Sequence, residues 1–182
     1  MGEERLREDR ISGERVYGGR ILDLEVDRVR LPNGAETTRE VVRHAGAAVV
    51  LPKHDDGRVV LVRQYRYPTA EILLELPAGK LDPGETPAEC AVRELSEEIG
   101  WRAGRIHELG SFFTTPGFTD EMLHAYVATE LEPALEVVAD PDEAIEIVTM
   151  TVDEALAACR DGQIRDGKTI AVFLMAQLHG WI

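Results

Sequence analysis

Short runs in which apolar and polar residues partly alternate occupy the N-terminal quarter of the chain, and such runs are typical of β-strands. They extend over residues 14–44, and the Asn33-Gly34 pair within this segment predicts a hairpin turn. Two apolar, β-branched runs follow at 45–52 and 58–64. Because a polar, glycine-containing stretch separates them, they are predicted to form a second strand pair.

The first helix is predicted with both of its ends. Thr86, Pro87 and Glu89 have the spacing of an N-cap, a first-turn proline and a capping-box glutamate, and Gly100 supplies a left-handed stop. Between these signals the apolar residues stand at 88, 91, 92, 95 and 99, which is one stripe at helical spacing. The sequence therefore predicts a helix over 87–99 that packs one face on a core.

The remaining elements mix strands with helices. Strands are predicted at 72–77, 111–115, 123–130 and 144–150, and helices at 152–160 and 169–178. Strands and helices in this order, with several hairpin-like neighbours, predict an α/β or α+β fold with a mixed sheet.

Length and composition narrow the class of protein. The 182 residues suffice for one domain, or for one domain with a small appended sheet. The net charge of −14 disfavours nucleic acid as a partner, since phosphate backbones bind cationic side chains. Two cysteines, a charged N-terminal start and the lack of a membrane-length apolar run lead us to expect a cytoplasmic protein without a membrane partner.

Glutamates are concentrated on the helix predicted at 87–99. Glu94 and Glu98 are four residues apart and lie side by side, where like charges repel. Arg93 can pair with Glu97 but leaves the other two facing each other. A hard divalent cation such as Mg²⁺ would offset them, because it prefers oxygen ligands. A solvated acidic face is the alternative that these residues alone allow.

The spacing around the glutamates resembles a known motif. Gly79 is followed after five residues by Glu85, and after seven more by Arg93-Glu94-Leu95-Ser96-Glu97-Glu98-Ile99-Gly100-Trp101. Every defined position of the Nudix box is met. The chain thus resembles the Nudix hydrolases, which cleave nucleoside diphosphates linked to another moiety.

This resemblance implies a fold and a metal site. The implied fold is an α/β/α sandwich around a mixed sheet. Glu94, Glu98 and the carbonyl of Ala78 are implied metal ligands, and Glu97 is a further ligand or a catalytic residue. Arg93 is implied to orient the glutamates through charge-assisted hydrogen bonds. The implied cofactor is Mg²⁺, with Mn²⁺ or another divalent cation as a substitute.

Outside the box the chain resembles the ADP-ribose pyrophosphatase group of this family. Pro116 lies fifteen residues beyond Trp101, the spacing that marks the group, and Pro116-Gly117 opens a similar loop. The segments Val62–Arg66 and Leu76–Gly79 match the pattern of the group as well. Pro116 and Gly117 are implied substrate-binding residues, and Arg39 and Arg66 implied phosphate contacts. An ordinary turn and surface or strand-edge charges are the alternatives.

The group also uses a glutamate on a loop far downstream of the box, and Glu143 matches that position best. It is the first candidate for orienting or deprotonating water, and Glu97 is the second. Some relatives carry another glutamate two residues earlier, where this chain has Pro141, so the assignment of the base stays open. A solvated acidic turn is the alternative for Glu143.

The N-terminal segment resembles the same group, whose members use an N-terminal antiparallel sheet in a swapped dimer with active sites built from both subunits. We therefore expect residues 1–44 to be a dimerisation segment of a homodimer and residues 45–182 to be the hydrolase domain. Tyr17 could stack on adenine, but packing in a core or hairpin is the more ordinary role of a tyrosine.

The reaction implied by this resemblance is metal-assisted attack of water on one phosphorus of ADP-ribose, giving AMP and ribose 5-phosphate. The alternatives are another nucleoside diphosphate sugar such as GDP-mannose, an oxidised nucleoside triphosphate, and a sensor that binds ADP-ribose without turnover. The intact box argues against the sensor. The histidines and cysteines have no ligand or nucleophile spacing, so none is assigned to the site.

Overall fold

The computed structural model describes residues 5–135 and 144–182, and the chain divides into two compact units. The first unit contains the chain up to Ala45 together with Phe113–Met122. The second contains Gly46–Phe112 and Leu123–Ile182. The N-terminal part of the first unit thus ends one residue beyond the domain boundary expected after residue 44. The sequence did not indicate that Phe113–Met122 belongs to the first unit.

Three antiparallel strands form the sheet of the first unit, in the order β1-β2-β3. They are β1 (Asp9–Gly18), β2 (Asp23–Arg30) and β3 (Glu36–Arg43). The predicted hairpin joins β2 to β3, and Gly34 has a φ of 86°, which glycine adopts without a Cβ penalty. Strand β1 begins at Asp9, earlier than the pattern predicted. The pattern did not show this start because every residue of β1 is exposed, and the strand carries no apolar alternation.

The segment Phe113–Met122 is attached to the end of β3. The amide of Val42 donates to the carbonyl of Phe118 at 2.8 Å, and the amide of Asp120 donates to the carbonyl of Val42 at 3.3 Å. Val42 and Thr119 form a parallel bridge between them. These contacts explain why the loop belongs to the first unit.

Two sheets form the second unit, in the orders β7-β4-β9-β8 and β10-β5-β6. The strands are β4 (Ala47–Pro52), β5 (Arg58–Arg66), β6 (Glu71–Glu75), β7 (Ala78–Lys80), β8 (Trp101–Phe113), β9 (Met122–Pro133) and β10 (Ile145–Thr151). Strand β4 pairs antiparallel with β7 and parallel with β9, so the predicted mixed sheet is confirmed.

The prediction that the runs at 45–52 and 58–64 form a strand pair is wrong. Only Lys53 and Val59 form an isolated bridge, and beyond it β4 and β5 belong to different sheets. Strand β4 is buried at every position, and β5 is buried on both faces over Val59–Val62. Continuous apolar runs of this kind are typical of central strands, which find partners on both edges, rather than of a two-stranded hairpin.

Helices cover both faces of β4. They are α1 (Pro87–Ile99), α2 (Val152–Arg160) and α3 (Gly167–Leu178), and α1 has the predicted capping box and left-handed Gly100. Ala48 and Val50 share a buried cluster with Leu95 of α1. Val49 and Leu51 share the opposite cluster with Phe173 of α3. The layers are therefore helix, sheet and helix, as expected. No helix in the described ranges has the length and apolar character needed to cross a bilayer.

Candidate active site

Strand β7 and helix α1 approach each other closely at the candidate site. A Cβ built on Gly79 would lie 1.7 Å from Oε1 of Glu94, far inside van der Waals contact. Glycine at this position is what lets the glutamate carboxylate lie against the strand backbone. Gly84, further along the connecting loop, has a φ of 86°, so glycine is favoured there for its conformation.

Arg93 connects three carboxylates of this region. Its Nε and Nη2 donate to the two oxygens of Glu85 at 2.8 and 3.0 Å. Its Nη1 donates to Oε1 of Glu94 at 2.6 Å and to Oε2 of Glu97 at 2.9 Å. The Nη2 group also donates to the carbonyl of Lys80 at 3.1 Å, which ties the helix to the last residue of β7. The structure therefore brings together the arginine and the glutamates that the spacing singled out.

The electrostatic consequence is clearest at Glu85. The hydrogen bond from Arg93 lowers the pKa of Glu85 from 4.5 to about 2 and outweighs burial, which acts in the opposite direction. The same hydrogen bond, together with those to Glu97 and Glu94, raises the pKa of Arg93 above its ordinary value. Glu85 and Arg93 are thus both held ionised at neutral pH.

Glu94 and Glu98 are both buried, with only 8% of each residue exposed. Oε2 of Glu98 accepts a hydrogen bond from the amide of Ala78 at 3.2 Å. A solvated acidic face therefore does not describe these two glutamates. Buried carboxylates on successive helical turns are costly unless cations and hydrogen bonds compensate them.

The donor set available here fits a hard divalent cation. Its atoms are carboxylate oxygens of Glu94, Glu98 and Glu97 and the carbonyl of Ala78, all of them oxygen. Within the described part of the chain, no three His, Cys, Asp or Glu side chains are already gathered as a ligand group. Mg²⁺ is commonly held by one or two carboxylates and completed by water and substrate phosphates, so the two buried glutamates meet its requirements.

Arg66 lies in a second group of charges, at the ends of β5 and β6. Its Nε and Nη2 each donate to one oxygen of Glu75 at 2.8 Å. Glu75 also accepts a hydrogen bond from Lys168, which in turn lies 3.0 Å from a carboxylate oxygen of Asp166. The hydrogen bond to Glu75 raises the pKa of Arg66, and the charge of Glu98 contributes in the same direction.

Sequence reasoning missed Glu75, Lys168 and Asp166. Glu75 ends an apolar strand run and is 1% exposed, and a lone acidic residue in such a run was the available signal. Asp166 and Thr169 have the spacing of an N-cap pair, which was also readable. The predicted start of this helix at 169 was two residues late.

The other predicted substrate contacts belong to the first unit. Arg39, on the edge strand β3, donates to the carboxylate of Glu8 at 2.6 and 3.0 Å. Pro116 and Gly117 are exposed at the tip of the loop between Thr114 and Glu121. Nothing lies within 4 Å of a Cβ built on Gly117 and its φ is not positive, so the fold itself does not demand glycine there.

Four further residues carried a sequence interpretation. Glu143 and Pro141 lie outside the described residues. Tyr17 is 58% exposed on β1, so it is not a core tyrosine in this chain. Burial raises the pKa of the Cys90 thiol to about 12, which agrees with the absence of a nucleophilic role.

Family sequence models match nearly the whole described chain. The model described as NUDIX domain matches residues 42–173. The model described as Nucleoside diphosphate sugar hydrolase N-terminal domain matches residues 8–42. The two matches meet at the end of β3.

Individual relatives are similar over almost the full length. The ADP-ribose pyrophosphatase of Bacillus subtilis (strain 168) is 39% identical over 174 residues, which cover 95% of this chain and 94% of the relative. A Bacillus methanolicus protein named methanol dehydrogenase activator is 41% identical over 173 residues, 94% of each chain.

A solved structure has the same fold. The crystal structure of an ADP compounds hydrolase superposes with a TM-score of 0.83 over 97% of this chain and 98% of the other. At 22% identity this likeness concerns the fold alone. The α/β architecture with a mixed sheet that the sequence predicted is thereby confirmed.

Proposed function

The chain belongs to the Nudix family, and on this premise we propose that it hydrolyses the diphosphate of ADP-ribose to AMP and ribose 5-phosphate with a divalent cation. The observation that carries the proposal is the pair of buried glutamates, Glu94 and Glu98, on helix α1, which Arg93 ties to the end of strand β7. The similarity to the Bacillus subtilis ADP-ribose pyrophosphatase over almost the full chain supports this choice of substrate.

The reaction consumes one water. The water oxygen forms a bond to one phosphorus, the bond from that phosphorus to the bridging oxygen breaks, and the bridging oxygen leaves with the other phosphate. Mg²⁺, or Mn²⁺ in its place, would be held by Glu94, Glu98, Glu97 and the Ala78 carbonyl, and would supply charge neutralisation and a more acidic water.

The protein groups position the reactants and receive the proton. Arg93 fixes the carboxylates of Glu94 and Glu97, so their oxygens are preorganised before substrate arrives. By the family resemblance, Arg66 and Arg39 would bind phosphate oxygens, and Pro116 and Gly117 would contact the substrate.

Two glutamates are candidates for the general base. Glu97 is more exposed than Glu94 and therefore accessible to a water. Glu143 is the first candidate by resemblance, and Glu97 is the second.

We also propose that the protein is a cytoplasmic homodimer whose residues 1–44 mediate dimerisation and whose residues 45–182 carry the hydrolase. Support comes from β1, which exposes the apolar side chains of Ile11, Val16 and Tyr17 along a strand without a partner on its outer edge among the described residues. Tyr17 would stack on adenine in this assembly. The net charge of −14 supports a small nucleotide sugar rather than nucleic acid as the partner.

The test is a hydrolysis panel with Mg²⁺ and with Mn²⁺, comparing ADP-ribose, GDP-mannose, an oxidised nucleoside triphosphate and no substrate. We expect AMP release from ADP-ribose to be fastest and to fall about a hundredfold or more in Glu94→Gln and Glu98→Gln. Glu132→Gln, which removes the charge from the exposed Arg102–Glu132 pair, is the matched control and keeps full activity.

Each alternative predicts a different result of the panel. Efficient turnover of GDP-mannose with slow turnover of ADP-ribose would assign the other sugar. Tight binding of ADP-ribose without product would identify a sensor. Undiminished rates in both glutamine variants would remove the metal site from Glu94 and Glu98. Hydrolysis in ¹⁸O water, followed by mass spectrometry of AMP and ribose 5-phosphate, identifies the phosphorus attacked.

A further inference from the structure

Glu75 is a carboxylate sealed inside the second unit, with 1% of the residue exposed. It accepts hydrogen bonds from two cationic side chains, Arg66 on β5 and Lys168 on α3. Burial would raise the pKa of Glu75, but these two cations outweigh burial and hold its pKa below the usual range. Glu75 is therefore an ionised buried carboxylate shared by two cations.

The N-terminus of α3 holds this arrangement in place. Asp166 caps the helix by accepting from the amide of Thr169 at 2.9 Å, and it lies 3.0 Å from the Lys168 ammonium. The hydroxyl of Thr169 accepts a hydrogen bond from the amide of Leu76 at 2.8 Å. Leu76 directly follows Glu75, so both the backbone and the side chain at the end of β6 are fixed by the same helical turn.

Glu75 occupies only one edge of the Arg66 guanidinium. Nε and Nη2 are both used by Glu75, whereas Nη1 donates no hydrogen bond within the part of the chain that the structure describes. The side chain keeps 37% of its surface exposed. A guanidinium held by a bidentate carboxylate on one edge can donate from the other edge to a phosphate oxygen.

A structural role alone explains this group poorly. Two carboxylates and two cations balance in charge, but buried ion pairs generally contribute little net stability because their desolvation offsets their attraction. An arginine side chain without a fixed partner, by contrast, loses considerable rotamer entropy when it binds a ligand. Its guanidinium would also form competing ion pairs with the nearby carboxylates of α1. The bidentate contact with Glu75 fixes Arg66 before the ligand binds, which reduces both the entropy loss and the competing ion pairs.

We propose that Glu75 is a positioning residue that preorganises Arg66 for the substrate diphosphate, with Lys168, Asp166 and Thr169 of α3 holding Glu75 in turn. This inference rests on the proposed function in one respect, namely that the ligand carries a diphosphate. The first turn of α3 thereby has a role in the site, although more than ninety residues of the chain separate α3 from β6.

The first experiment measures binding of ADP with Mg²⁺ by calorimetry, so that it does not depend on turnover. The variants are Glu75→Gln, Arg66→Ala and the double variant, with Glu132→Gln as control. We expect Glu75→Gln to weaken ADP binding about tenfold and Arg66→Ala somewhat more, consistent with the loss of a charge-assisted hydrogen bond. In the Arg66→Ala background the Glu75→Gln change should cause no further loss, because its effect passes through Arg66.

The second experiment is chemical rescue. Free guanidinium ions should restore ADP binding to Arg66→Ala, because Glu75 can hold the ion where the side chain stood. They should have no effect on the double variant. A residue that only supported the fold would not make rescue depend on its carboxylate.

Other outcomes separate this inference from the proposed function. Equal losses from Glu75→Gln in the wild-type and Arg66→Ala backgrounds, or equal rescue with and without Glu75, overturn the positioning role. Absence of ADP binding to the wild type overturns it as well. Coupled ADP binding in a protein that hydrolyses no nucleotide sugar supports the positioning role and refutes the proposed function. If Glu75→Gln does not fold, Glu75→Asp replaces it, because this variant keeps the charge but its shorter side chain moves the carboxylate away from Arg66. Glu75→Asp should likewise weaken ADP binding only when Arg66 is present.

Discussion

Oε1 of Glu94 lies so close to Gly79 that a Cβ on residue 79 would fall 1.7 Å from it. The same carboxylate oxygen accepts a hydrogen bond from Arg93 at 2.6 Å. Glu94 is thus confined between a strand backbone and an arginine. The glycine that begins the motif is required by the position of a glutamate fifteen residues later, rather than by a positive φ at residue 79.

Gly79→Ala should therefore displace the Glu94 carboxylate. We expect hydrolysis of ADP-ribose to fall about a hundredfold, since displacement of a reacting group by an ångström has that order of effect. Glu132→Gln is the control, because its charge lies on the exposed pair with Arg102. Steady-state kinetics with a thermal melt for each variant test the prediction, and full activity of Gly79→Ala would contradict it.

Acid stability should report the bond between Arg93 and Glu85. The pKa of Glu85 is lowered from 4.5 to about 2, chiefly by the hydrogen bond from Arg93. A group whose pKa is depressed in the folded state contributes stability that is complete above its unfolded value and is lost as pH falls through the folded value. The stability advantage of wild type over Glu85→Gln should thus be constant above pH 4.5 and vanish towards pH 2.

Urea titrations of both proteins at several pH values measure this advantage. Glu89→Gln is an informative comparison, because Glu89 is exposed and its pKa is lowered by Thr86 rather than by an arginine. A gap between wild type and Glu85→Gln that stays unchanged from pH 5 to pH 2.5 would show that the bond does not perturb Glu85 as described.

The parts of the site that the sequence predicted are those encoded locally. The helix bounds, its caps and the ridge formed by Glu94 and Glu98 all depend on spacings within one element, where helical geometry decides which side chains are neighbours. The contact between Glu75 and Lys168 joins residues 93 positions apart, and no local spacing indicates it. The divergence of β4 from β5 was missed for a related reason, since an apolar run shows that a strand is buried but not which strands flank it.

Divalent cations should stabilise the folded protein through the two buried glutamates. A ligand that binds only the folded state adds about 2.7 kcal/mol when present at a hundred times its dissociation constant. Mg²⁺ should therefore raise the melting temperature of the wild type by several degrees, and Glu98→Gln should abolish the increase. The amide oxygen of Glu98→Gln can still accept from the amide of Ala78, so a lost increase reports the missing carboxylate charge rather than a lost hydrogen bond.

Thermal melts with and without Mg²⁺ and chelator test this prediction. Glu132→Gln should keep the increase, since its charge lies on an exposed pair. An increase of equal size in Glu98→Gln and wild type would mean that the cation binds elsewhere.

Asp120 should control substrate affinity through the loop that carries Pro116 and Gly117. One of its carboxylate oxygens accepts from the His44 amide at 2.9 Å, and the other accepts from Arg43 at 3.1 Å. Burial would raise the pKa of Asp120, but these two bonds outweigh burial and lower it. Asp120→Ala removes these two side-chain attachments of the loop and leaves its backbone hydrogen bonds to Val42 in place. We expect the KM for ADP-ribose to rise about tenfold with a smaller change in kcat, because the variant weakens binding more than the chemical step.

The matched control for this prediction is Asp56→Ala. Asp56 likewise accepts from a backbone amide, at 3.0 Å, and from an arginine side chain, at 2.8 Å, but both donors belong to Arg58 in the turn between β4 and β5. Its loss should leave KM unchanged. If Asp120→Ala lowers kcat and leaves KM unaltered, the loop acts on the reacting groups rather than on binding. If both parameters keep their wild-type values, the attachment of the loop to β3 has no part in substrate recognition.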